Sequence, residues 1–120
     1  METTQQEISS HPREYEECIS DCFSCYEQCT VCLSHCMSMG GEHVEAKHLS
    51  LMMECAQLCS TSASFMQFNS PFAIELCQVC AKVCDACASS CDEVDPEDPV
   101  MQECSAMCRQ CADSCRNMVQ

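Results

Sequence analysis

Cysteine recurs at every third or fourth position along most of this chain, and this spacing constrains the fold more than any other feature. The stretch "CISDCFSCYEQCTVCLSHC", from Cys18 to Cys36, places six cysteines at steps of 4, 3, 4, 3 and 4. Such an alternation averages about 3.5 residues, the period that keeps side chains on one face of an α-helix. All 17 cysteines follow this rule within four groups. The spacing therefore predicts four helices, each with one cysteine-lined face.

Residues that begin or end helices separate the four groups. A Gly-Gly pair follows the first group, Ser70 with Pro71 precedes the third, and Asp95 with Pro96 precedes the fourth. Ser and Asp are favoured N-caps, and proline is favoured in the first helical turn. These signals predict helices over 12–39, 43–67, 71–92 and 96–118. The cysteines of the four helices are, in order, Cys18, Cys22, Cys25, Cys29, Cys32 and Cys36; Cys55 and Cys59; Cys77, Cys80, Cys84, Cys87 and Cys91; and Cys104, Cys108, Cys111 and Cys115.

The connections between these helices are short, which favours antiparallel neighbours. We therefore predict an all-α fold: an antiparallel up-down four-helix bundle with a cysteine-lined interior. It forms a single domain over 12–118, after a short polar N-terminal tail over 1–11. An apolar stripe runs beside the cysteines of the first and third helices, and we interpret it as helix packing within the bundle or between copies of the chain. It consists of Ile19, Phe23, Tyr26, Thr30, Leu33 and Met37, and of Phe72, Leu76, Val79, Val83 and Ala86.

The net charge and the lack of targeting segments disfavour several classes of partner and predict a cellular compartment. The formal net charge of −14 disfavours nucleic acid and anionic membrane surfaces, which basic patches recognise. The sequence has no apolar run of the length that spans a bilayer. Its N-terminus has neither the basic start nor the apolar stretch of a signal peptide. We therefore expect a cytoplasmic protein whose thiols are kept reduced.

Several uses of so many cysteines remain open. Neighbours three or four apart on a helix have Cβ atoms about 5–6 Å apart, whereas a disulfide needs about 3.5–4.5 Å. Disulfides are therefore disfavoured within a helix and possible only between helices. The C-x-x-C pieces raise an Fe–S or thiol-redox alternative, but they lack a βαβ setting and a cluster-type run. Packing alone is a further alternative, although Leu, Ile and Ala fill bundle cores better.

Soft-metal binding is the interpretation that best fits the pattern, since thiolates select Cu(I) and Zn²⁺. A separate zinc site with four thiolates keeps a net charge of about −2, and buried net charge is costly. One Cu(I) per thiolate leaves no net charge, and one sulfur can bridge two Cu(I) ions. We therefore predict a non-enzymatic Cu(I) store, with a zinc or other soft-metal buffer as the alternative.

The cysteine stripes on four helices of a short acidic chain resemble the bacterial copper storage proteins, and in particular their cytosolic type. The resemblance covers residues 12–118. It implies a homotetramer of four-helix bundles that hold many Cu(I) ions on cysteine thiolates, with a few His or Met ligands near one end. By resemblance, all 17 cysteines are metal ligands, and copper is exchanged with a copper chaperone or a thiol carrier. The second helix departs from the pattern because it carries only Cys55 and Cys59.

The predicted topology also places a mouth at one end of the bundle. The end of helix 1 and the start of helix 2 meet there, together with three of the four histidines, whereas three of the four phenylalanines lie at the other end. We expect copper to enter at the histidine end and the aromatic end to be plugged. Neutral imidazole and thioether groups are uncharged, soft or borderline ligands, which suit the capture of copper and its transfer to another ligand. Continuing the stripes by steps of 3 or 4 gives five candidate ligands at the mouth: Met39, His43, His48, Met52 and Met101. We interpret His35 and Met37 as surface or packing residues.

Overall fold

The computed structural model describes residues 13–118, which form four α-helices and one short 3₁₀ helix. The helices are α1 (Arg13–Met39), α2 (Ala46–Gln67), α3 (Ala73–Val94) and α4 (Pro99–Arg116), with the 3₁₀ helix Gly41–Val44 between α1 and α2. Each helix packs on its neighbours in sequence, and α1 also packs on α4. The predicted antiparallel up-down bundle is therefore confirmed. The predicted tail over 1–11 and the predicted helix start at residue 12 lie outside the described residues.

Three helices begin two or three residues later than the sequence predicts. At α4 the capping residue is Asp98, not Asp95: the Asp98 Oδ1 accepts the backbone N–H of Val100 at 2.9 Å, with Pro99 in the first turn. The Asp-Pro signal occurs twice in a row, and the second copy begins the helix. The first copy shapes the preceding turn, where Asp95 accepts a hydrogen bond from the backbone N–H of Glu97.

The same correction applies to the other two starts. Ser70 accepts the backbone N–H of Phe72 within a turn, and α3 begins at Ala73. The residues before α2 form the 3₁₀ helix, so that α2 begins at Ala46 rather than at residue 43. A Gly-Gly pair makes this junction possible. Gly40 and Gly41 have φ angles of 72° and 58°, a left-handed region in which residues with a Cβ are strained.

The interior of the bundle is made of sulfur and small side chains. The buried nonpolar residues among those described are all Cys, Met or Ala, whereas Leu, Ile, Val and aromatic residues are partly buried around them or exposed. Alanines recur at intervals of seven on α2 (Ala56, Ala63) and on α3 (Ala81, Ala88). Small side chains at a helix contact allow the two helices to approach closely. These alanines are buried in the same cluster as the cysteines of the four helices.

The apolar stripes beside the cysteines lie largely on the outside of the bundle. Phe23, Tyr26 and Val79 are between 38% and 48% exposed, and Met37 is more exposed still. Ile19, Leu33 and Val83 of the same stripes are partly buried against the core, so packing within the bundle holds for these residues and not for the exposed ones. Contact between copies of the chain remains a prediction. No described helix has the length and apolar composition that a membrane crossing requires.

Candidate metal centre

The bundle interior holds a continuous column of thiols. Every one of the 17 cysteines is at most 1% exposed, and all are free thiols. Their Sγ atoms lie in contact across helices, as in Cys55 and Cys84 at 3.6 Å, and Cys18 and Cys115 at 3.7 Å. Because all four helices contribute, the sulfurs form one connected site rather than separate pairs.

The thiols fall into overlapping groups of four. In each group, one sulfur per cysteine lies within 4.8 Å of the other three. Cys25, for example, belongs to two groups, and Cys59 also belongs to two. Five such groups are Cys22, Cys80, Cys111 and Cys115; Cys25, Cys55, Cys59 and Cys84; Cys25, Cys29, Cys55 and Cys108; Cys29, Cys87, Cys104 and Cys108; and Cys59, Cys80, Cys84 and Cys111. Shared sulfurs suit ions joined by bridging thiolates better than they suit isolated four-coordinate ions.

Hydrogen bonding distributes the protons unevenly among these thiols. The pKa of Cys104 is lowered, first by its hydrogen bond with Cys108, whereas the same contact raises the pKa of Cys108. At the end of the column, burial is the main cause that raises the pKa of Cys36 to about 11. Many of the thiols are therefore protonated before metal arrives, and metal binding must release their protons.

His48 extends the thiol column at the predicted mouth. It is buried on α2, with its Nε2 at 3.4 Å from the Sγ of Cys36 and its Nδ1 at 2.7 Å from the Oγ of Ser90. Burial lowers its pKa, which favours the neutral imidazole that binds metals. A hydrogen bond at the second ring nitrogen fixes the ring orientation of many metal-binding histidines. Ser90 is placed to do this for His48.

Met101 and Met52 also lie at this end. The Sδ of Met101, on α4, is 3.5 Å from the Sγ of Cys32 and 3.7 Å from that of Cys36. Met52 is fully buried on α2, one turn after His48. Three of the five candidate mouth ligands are thus buried with the terminal thiols.

The structure places the other two candidates elsewhere. Met39 is 52% exposed at the last position of α1. His43 lies in the 3₁₀ helix, where its Nε2 is 3.3 Å from the Oδ2 of Asp98 and 3.6 Å from that of Asp95. The left-handed glycines interrupt the helical register after Met39, so counting steps of 3 or 4 does not carry the thiol face to His43.

A histidine–carboxylate bridge covers part of the mouth, and sequence reasoning missed it. His35, interpreted above as a surface or packing residue, donates from Nε2 to the Oδ2 of Asp98 at 2.6 Å. This hydrogen bond is the main cause that lowers the pKa of Asp98. His43 approaches the same oxygen. Because these partners are 55 or more residues apart in sequence, no local signal connects them.

The opposite end of the bundle contains buried methionines as well as aromatic residues. Met66 and Met118 are buried there. Phe68 and Phe72 are 81% and 59% exposed, whereas Tyr15 and Phe65 are partly buried against the core, and a closed aromatic end stays a prediction. The count by steps of 3 or 4 that gave the mouth ligands also leads to Met66, which lies a step of 3 and then a step of 4 after Cys59.

The fold and the site together define a class of protein: a four-helix bundle whose core is a thiol column suited to many soft metal ions. The sequence profile described as "Copper storage protein" matches residues 11–120. The chain belongs to the copper storage protein family.

Known proteins of similar sequence and structure include one that is named a copper storage protein. The Nmul_A1745 protein of Nitrosospira multiformis is 47% identical, with a TM-score of 0.81 over 88% of this chain and 94% of that one. The Cu(I)-bound copper storage protein BsCsp3 is 33% identical, with a TM-score of 0.82 over 90% of this chain and 100% of that one. The cysteine-rich protein YhjQ of Bacillus subtilis is 35% identical over 68 residues, which are 57% of this chain and 63% of that protein. The match therefore spans less than two thirds of that curated relative.

Proposed function

We propose that this protein stores Cu(I) in bulk on the thiolates of its buried column, and that it acts by storage rather than by catalysis. The observation that carries the proposal is the set of overlapping four-thiol groups, in which single sulfurs belong to more than one group. Such sulfurs can bridge ions, and bridging allows the number of ions to approach the number of thiols. The Cu(I)-bound relative BsCsp3, of similar fold, supports the same conclusion.

Charge favours Cu(I) over Zn²⁺ in this buried column. The thiols are at most 1% exposed, so charge left inside is poorly solvated. One Cu(I) per thiolate neutralises the column, whereas four-coordinate zinc leaves each separate site negative. The zinc buffer considered from sequence gains no support from the family or from the solved relatives.

An anaerobic titration of the reduced protein with Cu(I), against a competing chelator, tests storage directly. By the neutrality argument we expect a capacity on the order of 15–20 Cu(I) per chain. Zn²⁺ should bind in fewer equivalents and be displaced by Cu(I). Saturation after one or two Cu(I) would contradict storage and would indicate a copper chaperone or a single regulatory site.

The cellular setting forms a further part of the proposal. We expect the protein to work in the cytoplasm, where thiols stay reduced, and to exchange copper with a chaperone or a thiol carrier. We also expect a homotetramer, since the exposed apolar stripes on α1 and α3 include Phe23, Tyr26 and Val79. Large exposed apolar surfaces commonly mark association sites.

Copper entry is proposed at the mouth formed by His48, Met52 and Met101. Neutral imidazole and thioether ligands hold Cu(I) less tightly than thiolates do, which suits transfer into and out of the column. Replacing His48 and Met101 with Ala together should therefore slow loading or removal while the final capacity stays nearly the same. Stopped-flow loading with a Cu(I)–chelator complex measures the rate, and the titration above measures the capacity.

A matched pair at the other end provides the control. Phe65 and Phe68 lie at the end of α2 away from His48, and Phe65→Ala with Phe68→Ala should leave loading rates unchanged. If this pair accelerates loading while the His48 and Met101 variant loads at the wild-type rate, the entrance is at the far end and the proposed mouth is wrong.

A further inference from the structure

The far end of the bundle, where α2 ends and α3 begins, brings a thioether against a thiol. Met66 is fully buried on α2, and its Sδ lies 3.8 Å from the Sγ of Cys77, the first cysteine of α3. Met118, which follows α4, is buried at the same end. The arrangement parallels the mouth, where the Sδ of Met101 lies 3.7 Å from the Sγ of Cys36.

The choice of methionine at position 66 is not explained by packing alone. Leucine fills helical cores with better-defined rotamers than methionine does. The chain uses leucine on the same helix, at Leu49 and Leu58, but only at partly buried positions beside the column. The fully buried positions on α2 that continue the cysteine stripe carry His, Met, Cys or Ser. This distribution favours a donor atom, not only an apolar side chain, at Met66.

Ser62 provides a second and independent observation at this end. It lies between Cys59 and Met66 on the buried stripe of α2, and its hydroxyl has no hydrogen-bond partner within the part of the chain that the structure describes. An unpaired buried hydroxyl is destabilising. The metal-free fold therefore leaves a polar group without a partner on the buried stripe between Cys59 and Met66.

A terminal position in the column creates a need for a neutral ligand. A Cu(I) ion bound inside the column would have thiolates on both sides, but an ion at the end of the column would have them on one side only. An added thiolate there would bring uncompensated buried charge, whereas a thioether supplies a soft donor without charge. With metal–sulfur bonds of about 2.3 Å, two sulfurs 3.8 Å apart subtend roughly 110° at a shared ion. That angle leaves room for a third sulfur, and Cys18 and Cys115 both interact with Cys77.

We propose that Met66 and Cys77 form a terminal Cu(I) site at the far end of the column, with the Cys77 thiolate and the Met66 thioether as ligands. This site rests on the proposed Cu(I) storage function and adds to it a ligand that lies away from the mouth. It makes the column end in thioethers at both ends of the bundle.

Methionine labelled with ¹³C at the ε-methyl group tests the ligand role, because the methyl group is bonded to the sulfur. The reduced protein is titrated anaerobically with Cu(I), and the Met66 resonance is assigned by its absence from Met66→Leu. We expect this resonance to move to a new position as loading is completed. Met53, half exposed on the outer face of the same helix, is the matched control, and its resonance should stay in place.

The variants give a second readout. Met66→Leu nearly conserves volume, so the bundle should fold as before, which a far-ultraviolet CD spectrum checks. Chelator competition should show that Met66→Leu binds its last Cu(I) with an affinity at least roughly tenfold lower than the wild type does. Even outer-shell partners of metal sites are worth about 10–100-fold in affinity. Met53→Leu should follow the wild type. A Met66 resonance that keeps its apo position at full loading, or a Met66→Leu titration that superimposes on the wild type, overturns the proposal. If the wild type takes up no Cu(I) in bulk, the storage function itself fails, which is a different result.

Discussion

Asp98 joins three parts of the mouth through one carboxylate. Its Oδ1 caps α4 by accepting the backbone N–H of Val100, while its Oδ2 accepts a hydrogen bond from Nε2 of His35. His43, in the 3₁₀ helix, approaches the same Oδ2 at 3.3 Å. Because the hydrogen bond from His35 lowers the pKa of Asp98, the folded protein favours the carboxylate form.

Replacement of Asp98 should therefore destabilise the metal-free protein in a pH-dependent manner. Asp98→Ala should lower the free energy of unfolding by about 1–2 kcal/mol at neutral pH, since it removes the N-cap. Asp98→Asn should lower the free energy of unfolding by less, because Asn caps helices as well as Asp does. A pKa lowered from 3.8 makes the ionic contribution present above pH 3.8 and lost as the pH falls through the folded-state value. Urea unfolding of the reduced proteins at several pH values measures both effects, and equal midpoints for Asp98→Ala and wild type would contradict them.

Counting steps of 3 or 4 along a cysteine stripe predicts which residues face the interior only where the helix continues. His48, Met52 and Met101 lie inside α2 and α4, and all three are buried as that count requires. Met39 is the last residue of α1, and beyond it the backbone turns at Gly40 with a φ of 72°. A sequence shows that glycine ends a helix, but it does not show where the next few side chains then lie.

At the scale of elements, α2 has few cysteines but a complete inward face. Its buried stripe holds four further side chains beside Cys55 and Cys59, namely His48, Met52, Ser62 and Met66. The prediction that α2 is poor in ligands rested on its two cysteines alone, whereas steps of 3 and 4 from Cys59 reach Ser62 and Met66 toward the far end. The spacing of 3 and 4 was sufficient to predict the whole face.

Ser62→Cys should raise the capacity of the column. The new thiol would lie on the buried stripe three residues after Cys59, and one Cu(I) per thiolate implies about one additional ion. The change also removes an unpaired buried hydroxyl, which costs about 1–3 kcal/mol. Thr61→Cys, at an exposed neighbouring position, is the control and should add no copper that resists a chelator. Equal chelator-resistant copper in the two variants would show that position 62 does not reach the column.

The number and order of the helices were predictable from the cysteine period and from the Gly, Pro, Ser and Asp residues between the groups, whereas the helix starts were not. The two Asp-Pro pairs before α4 are equivalent as local signals, and the hydrogen bond from Val100 that selects Asp98 is visible only in the folded chain. The apolar stripe of Phe23 and Tyr26 has the correct helical period as well. Period alone does not show which of two adjacent stripes faces the core, and here the cysteines and alanines do.

At the scale of the whole molecule, the surface contributes little to stability. The ion pairs of Arg109 with Asp92 and of Arg116 with Asp85 join side chains that are each 40% or more exposed, and such pairs are weak. A net charge of −14 opposes compaction. The folded state must therefore be stabilised by the buried Cys, Met and Ala side chains. Neutral thiols can fill that role, since free cysteine behaves as a small hydrophobic side chain.

The reduced, metal-free protein should accordingly be folded and mostly helical, unlike a zinc finger, which folds only with its metal. A far-ultraviolet CD spectrum under anaerobic reducing conditions should show the helical signature, and added salt should raise the midpoint of thermal unfolding by screening the acidic surface. Cu(I) should raise the midpoint further, because a ligand that binds only the folded state stabilises it by mass action. A random-coil spectrum for the reduced apo-protein would contradict this, and it would mean that copper forms the core rather than filling a column that the helices have already assembled.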